Sequence, residues 1–236
     1  MTRKSASEVA TIPVSIYDPR CRRCGRLARF LDRVKAEHPE YHCRPVAPFG
    51  ASDASLVVVG LAPGMHGANA TGRPFTGDYA GELLYATLFK FGYATRPRSL
   101  SASDGLRLLD ARITNAVKCL PPGNLPLGSE VRNCNRYLEA ELATLPASAS
   151  ILALGRVAHD ATLRALGHAP RGRAFAHGAV HALEHGVRLF DSYHCSRYNT
   201  NTRRLTTAMF ERVFAAIGRH RGNPRRAAPR GRVAQA

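Results

Sequence analysis

Hydrophobic and polar positions along the chain alternate between two kinds of pattern. Short apolar runs at residues 56–59, 112–117, 151–155 and 186–190 read as strands, and the first, Leu56 to Val59, has no polar face at all. Runs of that kind suit strands covered on both sides. Between and beyond them, apolar residues recur at helical spacing. Leu27, Phe30, Leu31 and Val34 form one such set, and Leu83, Leu84, Leu88 and Phe89 follow in a helix that begins at Tyr79. Residues 129–143 carry Cys134, Tyr137, Leu138 and Leu142, residues 157–166 form a further helix, and residues 205–217 turn Met209, Phe210, Val213 and Phe214 inward. Strands alternating with helices predict an α/β fold with a parallel sheet covered on both faces.

One connection is too long for its place. After Gly60 come eighteen residues with four glycines, two prolines and the rings of His66 and Phe75 before the helix at Tyr79. A loop of this length within a compact domain is usually functional. It leaves the carboxyl end of a buried strand, where open α/β sheets bind ligands. It is no Walker loop, because Gly-Lys-Ser/Thr is missing, and its glycines do not fall as Gly-x-Gly-x-x-Gly. It offers close backbone approach at Gly60, Gly64 and Gly67, the carboxamide of Asn69 and the ring of Phe75. Asn115 lies near the end of the second strand, and His194 lies just past the fourth. An aromatic face, carboxamides and an imidazole suit a nucleobase, because one amide can offer a donor and an acceptor to its pairing edge.

Charge narrows the partner. The 236 residues hold 34 Lys plus Arg against 17 Asp plus Glu, a formal charge of +17. Such an excess points to a polyanion, most simply nucleic acid, bound in a salt-sensitive way. With 44% hydrophobic residues the chain is globular. Residues 1–16 read as poorly ordered, and residues 219–236, with six arginines and no acid, read as a basic disordered tail. No apolar signal segment and no run long enough to cross a membrane is found, so a cytoplasmic location is expected.

In a reducing compartment six cysteines are metal ligands, reactive thiols or core residues before they are disulfides. Cys21 and Cys24 form a Cys-x-x-Cys pair, and Cys119 and Cys134 stand far along the chain from it. Four thiolates from two places suit an iron-sulfur cluster or a structural zinc, and spacing does not choose between them. Cys43 and Cys195 are left over. Cys195 adjoins His194, which raises a nucleophile reading, although adjacent side chains in an extended segment point apart.

Four segments together resemble the uracil-DNA glycosylase superfamily, and most closely its family 5, the B-type bacterial and archaeal enzymes. They are Gly60-Leu-Ala-Pro-Gly64 with Asn69, Thr71-Gly-Arg-Pro-Phe-Thr-Gly-Asp78, Ile113-Thr-Asn-Ala-Val-Lys-Cys119 and Ser192-Tyr-His-Cys-Ser-Arg-Tyr-Asn-Thr-Asn-Thr202. The resemblance implies a glycosylase-like domain over residues 17–218, built as a three-layer α/β/α sandwich around a four-stranded parallel sheet. It implies a [4Fe-4S] cluster on Cys21, Cys24, Cys119 and Cys134, with zinc as the second choice. It also implies a monomeric enzyme that excises uracil, and other deaminated bases such as hypoxanthine and xanthine, from DNA. By the same resemblance Phe75 stacks on a flipped base, Asn115 reads its edge, and Ala62 and Gly64 border it. His194 faces the base carbonyl, and Arg197, Asn199, Asn201 and Arg203 belong to the loop that enters the minor groove.

The chain departs from the family pattern at Asn69, where a carboxylate is common, and at Cys195 and Tyr198. A carboxamide holds water but removes no proton at neutral pH. Asn69 is therefore expected to position the water that captures the sugar. The competing reading is a catalytically silent DNA-binding protein on the same fold.

Overall fold

The structure is a computed structural model that describes residues 17–222. The segment 1–16 and the tail beyond 222 lie outside the described residues. Six strands form one sheet: β1 (Phe49–Gly50), β2 (Leu56–Gly60), β3 (Ala111–Asn115), β4 (Ser150–Leu154), β5 (Val180–Ala182) and β6 (Arg188–Ser192). Their spatial order is β1-β3-β2-β4-β6-β5. The inner four, β3-β2-β4-β6, are parallel, as the apolar runs predict. Antiparallel β1 and β5 close the two edges and make the sheet mixed rather than purely four-stranded. Neither edge strand has an apolar run, because each is only two or three residues long and neither is buried.

The period of two along the inner strands sorts side chains onto two faces. Leu56 and Val58 of β2, Leu152 and Leu154 of β4 and Phe190 of β6 enter one core. Helices α3 (Tyr79–Lys90) and α7 (Thr207–His220) cover it with Leu84, Leu88, Phe210 and Phe214. Val57, Val59, Ile151, Ala153 and Leu189 enter the opposite core. That face is covered by α1 (Gly25–Glu37), α4 (Gly128–Leu142) and α5 (Arg156–Ala165), through Leu27, Leu138 and Leu163 among others. The result is the expected three-layer α/β/α arrangement. Two helical turns were not expected: α2 (Ala68–Thr71) within the long loop and α6 (Arg197–Asn201) after β6.

Helix ends follow local chemistry. Asp78 caps α3 by accepting the Gly81 N–H at 2.8 Å, and Thr206 caps α7 by accepting from Met209. The expected tail begins too early at residue 219, since α7 runs to His220 and places Arg219 and His220 in its last turn. Basic side chains there complement the negative end of the helix.

Candidate active site

Parallel pairing of β2 with β3 sets Gly60 directly beside Asn115. The chain then keeps the two loops together, since Ala116 and Val117 donate to the carbonyls of Gly60 and Leu61 at 2.9 and 3.0 Å. The missing side chain at Gly60 matters. A Cβ built there would lie 2.4 Å from Asn115 Oδ1 and 2.7 Å from two ring carbons of Phe75. Phe75 and Asn115 therefore converge over the end of β2, which only glycine leaves open. Gly60→Ala is expected to displace one or both and slow any reaction in the slot by about 10²-fold, as misplacement by about an ångström does. Single-turnover rates at saturating DNA would measure this, and wild-type rates would show the slot is not used.

Phe75 is held under strain. Its φ is +54°, a conformation that costs a non-glycine residue about 1–3 kcal/mol. The surroundings fix it. Tyr85 donates to the Pro74 carbonyl at 2.8 Å, Thr76 bonds Ser99 at 2.7 Å, and buried Arg73 pairs with Asp104 at 2.7 Å. A Cβ at Gly81 would lie 1.8 Å from the Phe75 carbonyl oxygen, so the third residue of α3 is glycine where the strained loop presses on it.

His194 completes the cleft. Its ring lies 5.9 Å from that of Phe75 at 29° between planes. Burial pushes its pKa down to about 4, so the imidazole is neutral at pH 7 and can offer a single N–H. Asn199 donates to the His194 carbonyl at 2.8 Å and so anchors that backbone. The open cleft between these groups measures about 430 Å³ and is also bordered by Ala62, Gly64, Asp78, Asn124 and Arg197. Asn115 Oδ1 is buried and has no hydrogen-bond partner among the described residues. An orphan acceptor costs stability unless a ligand supplies the donor.

A second gathering lies behind this one. Cys21, Cys24, Cys119 and Cys134 border one small pocket with apolar Leu27, Ala28, Pro45 and Val117. All six cysteines are free thiols. Burial, and then the proximity of Cys134, Cys21 and Cys24, pushes the Cys119 thiol far up. Four grouped thiols, Cys134 buried and the other three partly so, suit a cation that takes them as thiolates.

The Uracil DNA glycosylase superfamily profile matches residues 47–218. The chain belongs to that superfamily. It is 44% identical to the type-5 uracil-DNA glycosylase of Thermus thermophilus over 86% of this chain and 94% of that protein. It is 43% identical to the type-5 enzyme of Mycobacterium leprae, over 82% of this chain and 88% of the relative. The type-5 enzyme of Pyrobaculum aerophilum is also 43% identical, over 82% and 86%.

Within this superfamily member the expected site residues do not all converge. Phe75, Asn115, Ala62, Gly64, His194 and Arg197 share the cleft. Asn69 does not. It is fully buried in α2, where its amide nitrogen donates to Cys43 Sγ at 3.4 Å, and it is not among the residues lining the cleft. The helical turn at 68–71 turns the carboxamide away from the cleft lining, and its Oδ1 is buried without a partner among the described residues.

The carboxylate that does face the cleft belongs to Asp78. One of its oxygens caps α3, and the other points at the glycine-rich loop, 3.6 Å from where a Gly64 Cβ would lie. Burial raises its pKa against the opposing pull of the Gly81 and Ala80 N–H groups. In the sequence Asp78 closes one of the four resembling segments and precedes a helix, and its cap role hides the second oxygen.

On the rim, Arg197 lies over the Tyr79 ring at 5.1 Å, and Tyr198, Asn201 and Arg203 are exposed. Asn199 gives one amide N–H to the His194 carbonyl and keeps its second N–H and its acceptor. Cys195 is fully buried with its thiol pushed up by burial, so the nucleophile reading fails.

A trio of side chains able to ligate a metal, two buried and one partly buried, lies outside the cleft. Asp191 of β6 takes His159 Nδ1 at 2.8 Å on one oxygen and His181 Nε2 at 3.0 Å on the other, while His159 Nε2 meets the Arg173 carbonyl at 2.8 Å. Each carboxylate oxygen is already occupied by a different imidazole, so the trio acts as a hydrogen-bonded knot between α5, β5 and β6.

Proposed function

We propose that this protein hydrolyses the N-glycosidic bond of uracil in DNA, and of other deaminated bases such as hypoxanthine and xanthine, as a monofunctional glycosylase. The observation that carries the reading is the convergence of Phe75 and Asn115 on Gly60, with the Asn115 acceptor left unpartnered. A swung-out uracil fits this slot chemically. Its face stacks on Phe75, its N3–H meets Asn115 Oδ1, and its O4 takes the amide N–H.

Bond cleavage leaves an oxocarbenium-like sugar and negative charge on the departing base. Donors and charges placed in advance stabilise both. Neutral His194 donates to the base oxygen beside the scissile bond. In this reading the carboxylate form of Asp78, which borders the cleft, holds the water that adds to C1′. Lys118, the one lysine in the site loops, is buried in a salt bridge with Glu141 and supplies no free amine for strand cleavage. Arg197, Asn201, Arg203 and the exposed ring of Tyr198 meet the DNA around the lesion.

Cys21, Cys24, Cys119 and Cys134 would hold a [4Fe-4S] cluster, with zinc as the second choice. Both the all-thiol donor set with its apolar walls and the resemblance to family 5 support that assignment. Through the bound group these residues would tie the start of α1, at Cys21 and Cys24, to the loop after β3 at Cys119 and to α4 at Cys134. Cys119→Ala is expected to lose the iron and the brown colour of the purified protein. A colourless wild-type protein carrying zinc would select the alternative.

The reading is tested by incubating the protein with duplexes that each carry one uracil, hypoxanthine or xanthine, followed by alkali. Strand breaks at the damaged position support it. Duplex binding with no alkali-labile site would favour the silent DNA-binding reading.

A further inference from the structure

Behind Asn115 lies a buried charge that the chemistry above does not use. Lys118 is 3% exposed, yet its side chain makes three contacts. The ammonium donates to Glu141 of α4, to the Thr114 hydroxyl, and to the backbone carbonyl of Asn115 at 3.0 Å. Its main chain is also committed at both ends. The Lys118 N–H donates to Cys134 Sγ at 3.3 Å, and its carbonyl accepts from Val46 at 2.7 Å.

A pair such as Lys118 and Glu141 gives little net stability, because removing both ions from water offsets most of their attraction. Glu141 even keeps one buried oxygen without a partner. The pair therefore calls for a reason other than stability, and its location supplies one. The ammonium grips the peptide that carries the Asn115 side chain, while the same residue's N–H rests on a sulfur of the four-thiol set.

We propose that Lys118 is a positioning residue for base recognition: it fixes the Asn115 backbone so that the carboxamide faces the slot, and ties that register to the cysteine site. The proposal rests on the base-slot reading above and assigns it a support that touches no substrate. Asn115 has no side-chain partner of its own on the acceptor side, so its orientation depends on its backbone. Releasing the carbonyl would let the peptide rotate and aim the amide away from the base.

Lys118→Met alone would leave Glu141 charged and unpaired in the core, so the test is the double variant Lys118→Met/Glu141→Leu, which removes both charges at similar volume. Three quantities are read on the full-length protein: the thermal midpoint with iron content, affinity for a duplex carrying a tetrahydrofuran abasic analogue, and competitive inhibition by free uracil. The double variant is expected to fold, keep its metal and bind the abasic duplex as wild type does, but to hold uracil about 10-fold more weakly, the scale of one hydrogen bond lost. Lys118→Arg, which keeps the charge and donors, should recover most of that loss.

Wild-type uracil affinity in the double variant would overturn the proposal. So would a double variant that fails to fold, since the pair would then be a folding determinant, or a Lys118→Arg variant as weak as the double. Wild-type base release is measured alongside. Its absence would sink the base-slot reading itself, whereas only the ratio of variant to wild type bears on Lys118.

Discussion

Replacing Asp78 by Asn is expected to slow base release by about 10²–10⁴-fold while leaving the fold and DNA affinity nearly intact. The substitution separates the two jobs of this side chain. Asn caps a helix about as well as Asp, so α3 keeps its start. What is lost is the negative charge on the oxygen that faces the cleft, and with it the stabilisation of a cationic sugar and the capacity to take a proton from water, since an amide there still holds water. Burial raises the Asp78 pKa, so the acid limb of the rate profile should lie above the ordinary aspartate value. Asn69→Ala is the companion measurement. Asn69 is buried in α2 against Cys43, so its loss should register in stability. A rate loss at Asn69→Ala as large as that at Asp78→Asn would return the water-holding role to Asn69.

The second large effect is expected at His194. Removing a single preorganised donor to a developing oxyanion costs about 10²–10³-fold, and His194→Ala should fall in that range with duplex binding retained. The pH dependence identifies the donor form. Burial lowers the His194 pKa to about 4, so the neutral imidazole persists through the physiological range. The rate should then show no His194 ionisation near its ordinary value of about 6.5. Linkage gives the matching stability effect. Between about 6.5 and 4 the unfolded chain binds a proton at this position that the folded chain does not. The contribution is therefore complete above 6.5 and lost as pH falls towards 4. A rate that instead rises on acidification through 6.5 would make imidazolium the donor.

How far these features can be read in the sequence depends on whether a residue's surroundings leave a local mark. The inner strands do, because β2 and β4 are buried on both faces and appear as unbroken apolar runs. The edge strands do not. β5 is Val-His-Ala with both outer residues exposed, and nothing in three such residues distinguishes strand from loop. The single turns α2 and α6 are hidden for a related reason, since four or five residues are too few to show a helical period. That omission hid the setting of Asn69: seen as loop it can face anywhere, whereas in the helical turn it is buried beside Cys43. The gathering of four cysteines is legible in outline because a Cys-x-x-Cys pair and two further cysteines along the chain suggest one shared metal site. The knot of His159, His181 and Asp191 is not, because its members come from three elements with no characteristic spacing.

The paired support behind the slot also lies beyond sequence reading. Lys118 in isolation reads as one more cation in a basic chain, or as the neighbour of a ligand cysteine. Only the packing of α4 against the end of β3 reveals that its charge is spent inside, on Glu141 and on the Asn115 carbonyl. The exposed arginines, Arg197 and Arg203 among them, are suited to phosphates, while this lysine belongs to the recognition of the base.

The most direct measurement is mass analysis of both products after the protein meets a duplex with one deoxyuridine. The account predicts one equivalent of free uracil and an unbroken strand that lacks only that base. A duplex that is bound but releases no uracil, or a strand already cut before alkali is added, would contradict it.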